Sequence, residues 1–180
     1  PVQSSDAVRA IGAEQVPYFR TAEFSEVMLE NERLVKKFAH TTDDSRVVFM
    51  TCSGSGGMET AIMNCLNKND KALVVNGGSF GERFVELLTL HVIPFTEIKL
   101  EHGKALKPEH LAPYEGQGFT TFLLQKHGTS TGVHYDIDMV ADFCKRNNLF
   151  LIVDTISTFL CDPFDMAATG AGVMITGSPK

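Results

Sequence analysis

Apolar residues recur along this chain in two rhythms, and the change from one to the other falls near residue 46. Before it, Phe24, Met28, Val35 and Phe38 share one face of a stretch, 24–39, rich in helix formers and set between polar loops. That pattern predicts an opening helix outside the main sheet. From Val47 onward, short β-rich runs alternate with amphipathic segments. Strands are expected at 47–51, 72–76, 95–100, 119–124, 150–153 and 173–176, and helices at 59–66, 81–91 and 137–147. In the last helix Ile137, Val140, Ala141 and Cys144 stand at i, i+3, i+4 and i+7 behind Asp136, a good N-cap. The polar stretch 101–118, with two prolines and three glycines, reads as a surface connection with one helical turn at 108–111.

Alternation of this kind is the signature of an α/β fold, a mostly parallel sheet covered by helices. The expected division is an N-terminal segment with its opening helix at 1–45 and a large domain at 46–180. Open parallel sheets bind ligands at the carboxyl ends of their strands, so the loops there are the places to search for chemistry.

Composition narrows the choice of partner. With 16 basic and 22 acidic residues the formal charge is −6, and no cluster of Lys or Arg offers the positive field that nucleic acid or an anionic membrane needs. Small molecules are the expected partners. No apolar run has the length of a membrane span and Pro1 is not followed by a basic-then-apolar pattern, so a cytoplasmic location is expected, although a segment could precede Pro1. Cys52, Cys65, Cys144 and Cys161 form no Cys-x-x-Cys pair and no metal spacing with the six histidines, which points to a reducing compartment and no metal. Cys144 falls on the helical stripe and reads as core; Cys52 adjoins a glycine loop.

That loop, Thr51-Cys52-Ser53-Gly54-Ser55-Gly56-Gly57, lies between a strand and a helix, where missing β-carbons and free helical N–H groups suit a phosphate. It lacks the Gly-Lys-Ser/Thr ending of a nucleotide P-loop. Asn76-Gly77-Gly78-Ser79-Phe80 follows the next strand and lifts an aromatic ring that could stack on a flat ligand. After a later strand, His127-Gly128-Thr129-Ser130-Thr131 offers hydroxyls for a phenolic oxygen or a phosphate, with His127 a hydrogen-bonding residue of the structure. Asp154 at a strand end and Lys180 at the end of the chain close the set. Such an Asp keeps a pyridine nitrogen protonated, while such a Lys holds an aldehyde as a Schiff base, the two parts that a pyridoxal 5′-phosphate site requires.

Taken together, these motifs resemble the class V aminotransferases of the fold-type I pyridoxal phosphate enzymes, most closely the alanine–glyoxylate, serine–pyruvate and aminoethylphosphonate–pyruvate group. The likeness runs from Pro1-Val2 to Ile175-Thr176-Gly177-Ser178-Pro179-Lys180. It implies that Ser55, Gly56 and Gly57 bind the phosphate, Phe80 stacks on the ring and Ile156 covers its other face. It further implies that Ser130 or Thr129 touches the cofactor, Asp154 pairs with the ring nitrogen, Ser178 belongs to the lysine motif and Lys180 carries the Schiff base. Gly128 and Pro179 depart from the family pattern, which has an acidic residue and a Gln at those positions. Family members continue into a smaller C-terminal domain and act as homodimers, so this chain reads as the cofactor-binding part of a longer enzyme. The expected reaction moves an amino group between an amino acid or small amine and a 2-oxo acid. A cysteine desulfurase or other lyase on the same scaffold is the enzymatic alternative, and a non-catalytic nucleotide- or phosphate-binding module is the alternative of another class.

Overall fold

No residue of Ala72–Asn76 is exposed, and its successive side chains serve opposite layers, Ala72 and Val74 one, Leu73 and Val75 the other. A strand is patterned this way when helices cover both faces of its sheet. A computed structural model describes residues 3–178. In chain order the elements begin with α1 (Asp6–Gly12), α2 (Ala22–Phe38), α3 (Gly54–Cys65), β1 (Ala72–Asn76), α4 (Ser79–Leu90), β2 (Phe95–Lys99) and α5 (Pro108–Leu111). They continue with β3 (Thr121–Gln125), β4 (His127–Gly128), β5 (Val133–His134), α6 (Ile137–Asn147), β6 (Phe150–Asp154), α7 (Met166–Thr169) and β7 (Ala171–Ile175). Five strands form one sheet in the order β2-β1-β3-β6-β7, with every pairing parallel, while β4 and β5 make a separate antiparallel hairpin.

Helices α3 and α4 cover one face, where Met58, Ile62, Phe84 and Leu88 pack on Val74, Leu123 and Ile152. On the other face α6 places Val140, Phe143 and Cys144 against Phe122, Leu124, Leu151 and Val153, and the Phe122 and Phe143 rings meet edge to face at 5.9 Å. Each such fully buried side chain contributes about 1.5–3 kcal/mol. Local chemistry sets the ends of α6: the Asp136 carboxylate accepts from the Met139 N–H at 3.1 Å, and Asn148 turns left-handed at φ 54° to stop it.

The strand at 72–76 and the helix at 137–147 have the expected bounds, as does the helical turn at 108–111. One expected strand is absent. Residues 47–51 pair with nothing in the sheet, and Val48, Phe49 and Met50 are exposed: β propensity without a neighbouring strand or a buried face does not make a strand. Helix α3 begins earlier than the pattern suggests, at Gly54, because it takes in the three glycines that precede its apolar stripe, and α4 begins two residues early, at Ser79, directly after its N-cap Gly78. Helix α2 lies outside the sheet with Phe24, Met28 and Val35 half-buried and Phe38 exposed. Its end is fastened where the Ala39 carbonyl accepts from the Met166 N–H of α7 at 3.0 Å. No described helix is long and apolar enough to cross a membrane.

Candidate active site

Ser53 caps α3, its Oγ accepting from the Gly56 N–H at 3.3 Å. The N–H groups of Gly54 and Ser55 have no helical carbonyl to bond, so the positive end of a 12-residue helix faces outward between small residues. Glycine is needed here for close approach. A β-carbon on Gly54 would stand 2.5 Å from Cδ1 of Ile156, and one on Gly56 would stand 2.9 Å from Cβ of Cys52. Gly57 faces Ile175 of β7 and serves helix-to-sheet packing.

At the start of α4 the chain passes directly under the hydroxyl loop. A β-carbon on Gly78 would meet Ser130 Oγ at 2.7 Å, and that same Oγ accepts from the Ser79 N–H at 3.1 Å. Ser130 therefore serves as a cap borrowed from another segment, leaving Phe80 half-buried one residue into the helix. The loop itself is closed by the β4–β5 ladder, in which His127 faces His134 and Gly128 faces Val133.

Asp154 ends β6 between Gln125 of β3 and Ile175 of β7 and is only 7% exposed. Its Oδ1 accepts from the Ile156 N–H at 2.8 Å, an Asx turn that aims the carboxylate, and its carbonyl accepts from the Lys126 N–H at 2.8 Å. Lys126 is itself buried, donating from Nζ to the Pro163 carbonyl at 2.5 Å, and burial lowers its pKa.

These segments converge on a cleft of about 210 Å³. The α3 turn supplies Ser53, Gly54 and Ser55, α4 supplies Phe80, the hydroxyl loop supplies Thr129, and the end of β6 supplies Asp154, Ile156 and Ser157. A helix N-terminus, an aromatic and an aliphatic surface, hydroxyls and a buried carboxylate in one cleft suit a flat ring that carries an anionic arm and a protonatable nitrogen. Of the residues singled out in the sequence, Ser55, Phe80, Thr129, Asp154 and Ile156 line this cleft. Gly56, Gly57, Ser130 and Ser178 do not: the first three shape its walls from behind, and Ser178 is exposed beyond β7. Lys180 and Pro179 lie outside the described residues. Ser157 was not anticipated, since a serine three residues past an aspartate carries no pattern of its own. Among the described residues no group of three His, Cys, Asp or Glu side chains is placed to hold a metal.

Comparison with known proteins follows the same line. The family model for class V aminotransferases matches residues 14–180. Over its whole length the chain is 27% identical to an uncharacterized aminotransferase of Helicobacter pylori strain J99, of which it covers 48%. It is 30% identical over 152 residues to an L-aspartate–glyoxylate aminotransferase of Paracoccus denitrificans, a match to 81% of this chain and 38% of that one. The crystal structure of an aspartate aminotransferase of subgroup IV from Thermus thermophilus superposes with a TM-score of 0.92 at 26% identity, covering 100% of this chain and 51% of the other. The chain thus spans about half the length of the curated relatives it matches, or somewhat less.

Proposed function

Because the chain belongs to the class V aminotransferase family, we propose that its cleft receives pyridoxal 5′-phosphate and that the full-length protein moves an amino group between an amino acid and a 2-oxo acid. The meeting of the α3 N-terminus, Phe80 and the buried Asp154 around one cleft carries this reading. When bound, the cofactor supplies the electron sink that lets a proton leave the substrate Cα.

The chain's own residues divide the remaining work. The N–H groups of Gly54 and Ser55, with the Ser55 hydroxyl, hold the phosphate at the positive end of α3. Asp154, aimed by the Ile156 N–H, keeps the ring nitrogen protonated, and its burial strengthens that ion pair. Phe80 and Ile156 supply apolar surface for the ring, and Thr129 supplies a hydroxyl. Lys180 attaches the cofactor and, once displaced by substrate, moves the proton at Cα through its Nζ. A homodimer completes the site in this reading, as the family resemblance implies.

Loading the full-length protein with pyridoxal phosphate, reducing it with borohydride and mapping the labelled peptide tests the assignment. The label is expected on Lys180. Lys180→Ala should lose the visible absorbance and reduce turnover by orders of magnitude, whereas Asp154→Asn should keep most of the cofactor and lose about a hundredfold or more in turnover. Unchanged turnover in Lys180→Ala would sink the proposal.

A further inference from the structure

Residues 155–162 carry one wall of the cleft away from Asp154 through two tight turns. The Thr155 carbonyl accepts from the N–H groups of Thr158 and Phe159 at 2.9 and 2.8 Å, and the Thr158 carbonyl accepts from those of Cys161 and Asp162, both at 2.9 Å. Leu160 stands there in the left-handed region at φ 66°, with its side chain 68% exposed. A residue with a β-carbon is strained in that conformation and keeps it only where its surroundings hold it.

The β4–β5 hairpin, whose loop brings Thr129 into the cleft, supplies the hold. Beyond the strained turn, His134 Nε2 lies 3.1 Å from Asp162 Oδ2, with both side chains half exposed. Lys126, buried directly before β4, donates to the Pro163 carbonyl and stands 5.9 Å from the centroid of the Phe164 ring. Before the strained turn, His127 Nδ1 and Ser157 Oγ are 3.0 Å apart. An imidazole ordinarily gains its charge as pH falls through about 6–7. Of the two imidazoles, His127 faces a hydroxyl and His134 a carboxylate, so it is at His134 that the added proton completes an ion pair.

We propose that His134 and Asp162 form a pH-sensitive latch: charged His134 fastens the hairpin to the strained turn and holds the two walls of the cleft together, and neutral His134 lets them part. The latch is therefore tight at low pH and eases as pH rises. It is a property of the chain itself; its consequence, freer exchange of the cofactor as pH rises, rests on the functional reading above. The other charged or titratable groups on the elements packed around it are His127 across the ladder, Lys126, Asp136 and Asp138 at the start of α6, Cys161, and Asp165 at the start of α7. Burial disfavours the Lys126 charge, while the Asp162 and Asp138 carboxylates favour it. The test leaves all of these in place.

Amide hydrogen exchange of the cofactor-free full-length protein, corrected for the intrinsic effect of pH on exchange, reads the latch directly. Protection of 128–135 and 155–162 should be about two- to fivefold greater at about pH 5.5 than at about pH 8, the range for a half-exposed ion pair, with the sheet strands unchanged. His134→Gln, neutral throughout, should remove the difference, and His134→Lys, charged throughout, should keep the greater protection at both values. A wild type without the difference overturns the proposal. So does a difference that survives in His134→Gln, which would assign it to His127 or Lys126. In the loaded protein, release of pyridoxal phosphate should quicken over the same interval about two- to fivefold more in the wild type than in His134→Gln; equal pH dependence in the two would overturn the link to the cleft. A protein that takes up no cofactor yet shows the exchange difference would uphold the latch and refute the functional reading.

Discussion

Burial pushes the Cys144 thiol up to about 12 from an ordinary value of 9.0. Below pH 9 both the folded and unfolded chains keep that proton, so its contribution to stability is constant there. Between pH 9 and about 12 the unfolded chain releases a proton that the folded chain retains, and stability falls as pH rises. Lys126 acts in the opposite sense: burial lowers its pKa, so the folded chain sheds a proton that the unfolded chain keeps, and stability rises with pH through that window. Cys144→Ala should therefore remove a downward alkaline slope that Lys126 partly masks in the wild type. Urea midpoints measured from about pH 8 to pH 11 would check this, and an unchanged slope would contradict it. The Cys144 environment was legible from its place on the Ile137–Cys144 stripe. That of Lys126 was not, because a lysine after a strand ordinarily keeps its ammonium in water, and only the fold reveals the Pro163 carbonyl waiting for it.

At the scale of elements, two glycines that look alike in sequence have different reasons to be glycine. A β-carbon on Gly81 in α4 would stand 2.6 Å from the Val75 carbonyl oxygen and 2.7 Å from Asn76 Cα, both backbone atoms of β1 that cannot move aside. On Gly54 it would meet Cδ1 of Ile156, the far end of a side chain that can turn. Gly81→Ala should cost about 1–3 kcal/mol or more and lift α4 from the sheet, with Phe80 carried along. Gly54→Ala should cost less than about 1 kcal/mol but weaken cofactor binding, because Ile156 is driven into the cleft. Chemical denaturation paired with cofactor titration separates the two, and the reverse ranking in stability would refute the argument. Glycines at the turns into α3 and α4 also explain why those helices start earlier than their apolar stripes suggest. Low helix propensity around Gly54 and Gly78 reads as loop, whereas contact with β1, Ile156 and the hydroxyl loop makes glycine the residue that fits. Strand 72–76 and helix 137–147 were legible because their signals, an unbroken apolar run and a capped stripe, are local. Residues 47–51 show the converse, since a strand needs a partner that propensity does not supply.

For the whole molecule, the exposed side chains of Val48, Phe49, Met50, Tyr18 and Phe19 lie on a chain that spans about half the length of its relatives. Residues 1–180 expressed alone should then self-associate and retain pyridoxal phosphate poorly, without transaminase turnover. Solution mass, cofactor content and a transamination assay would measure this, and a stable, fully active monomer would contradict the family-based reading. The sheet also has a bearing on time. Its registers join Ala72 to Thr121 and Thr121 to Phe150, and parallel strands cannot be seeded by a tight turn. Ser53 and Asp154 are about a hundred residues apart, so a ribosome spends roughly 5–20 s between the two walls of the cleft. Throughout that interval the nascent glycine loop lacks the wall that Asp154 and Ile156 supply. A ligand can hold the finished cleft together, but it comes too late to guide the first steps of folding.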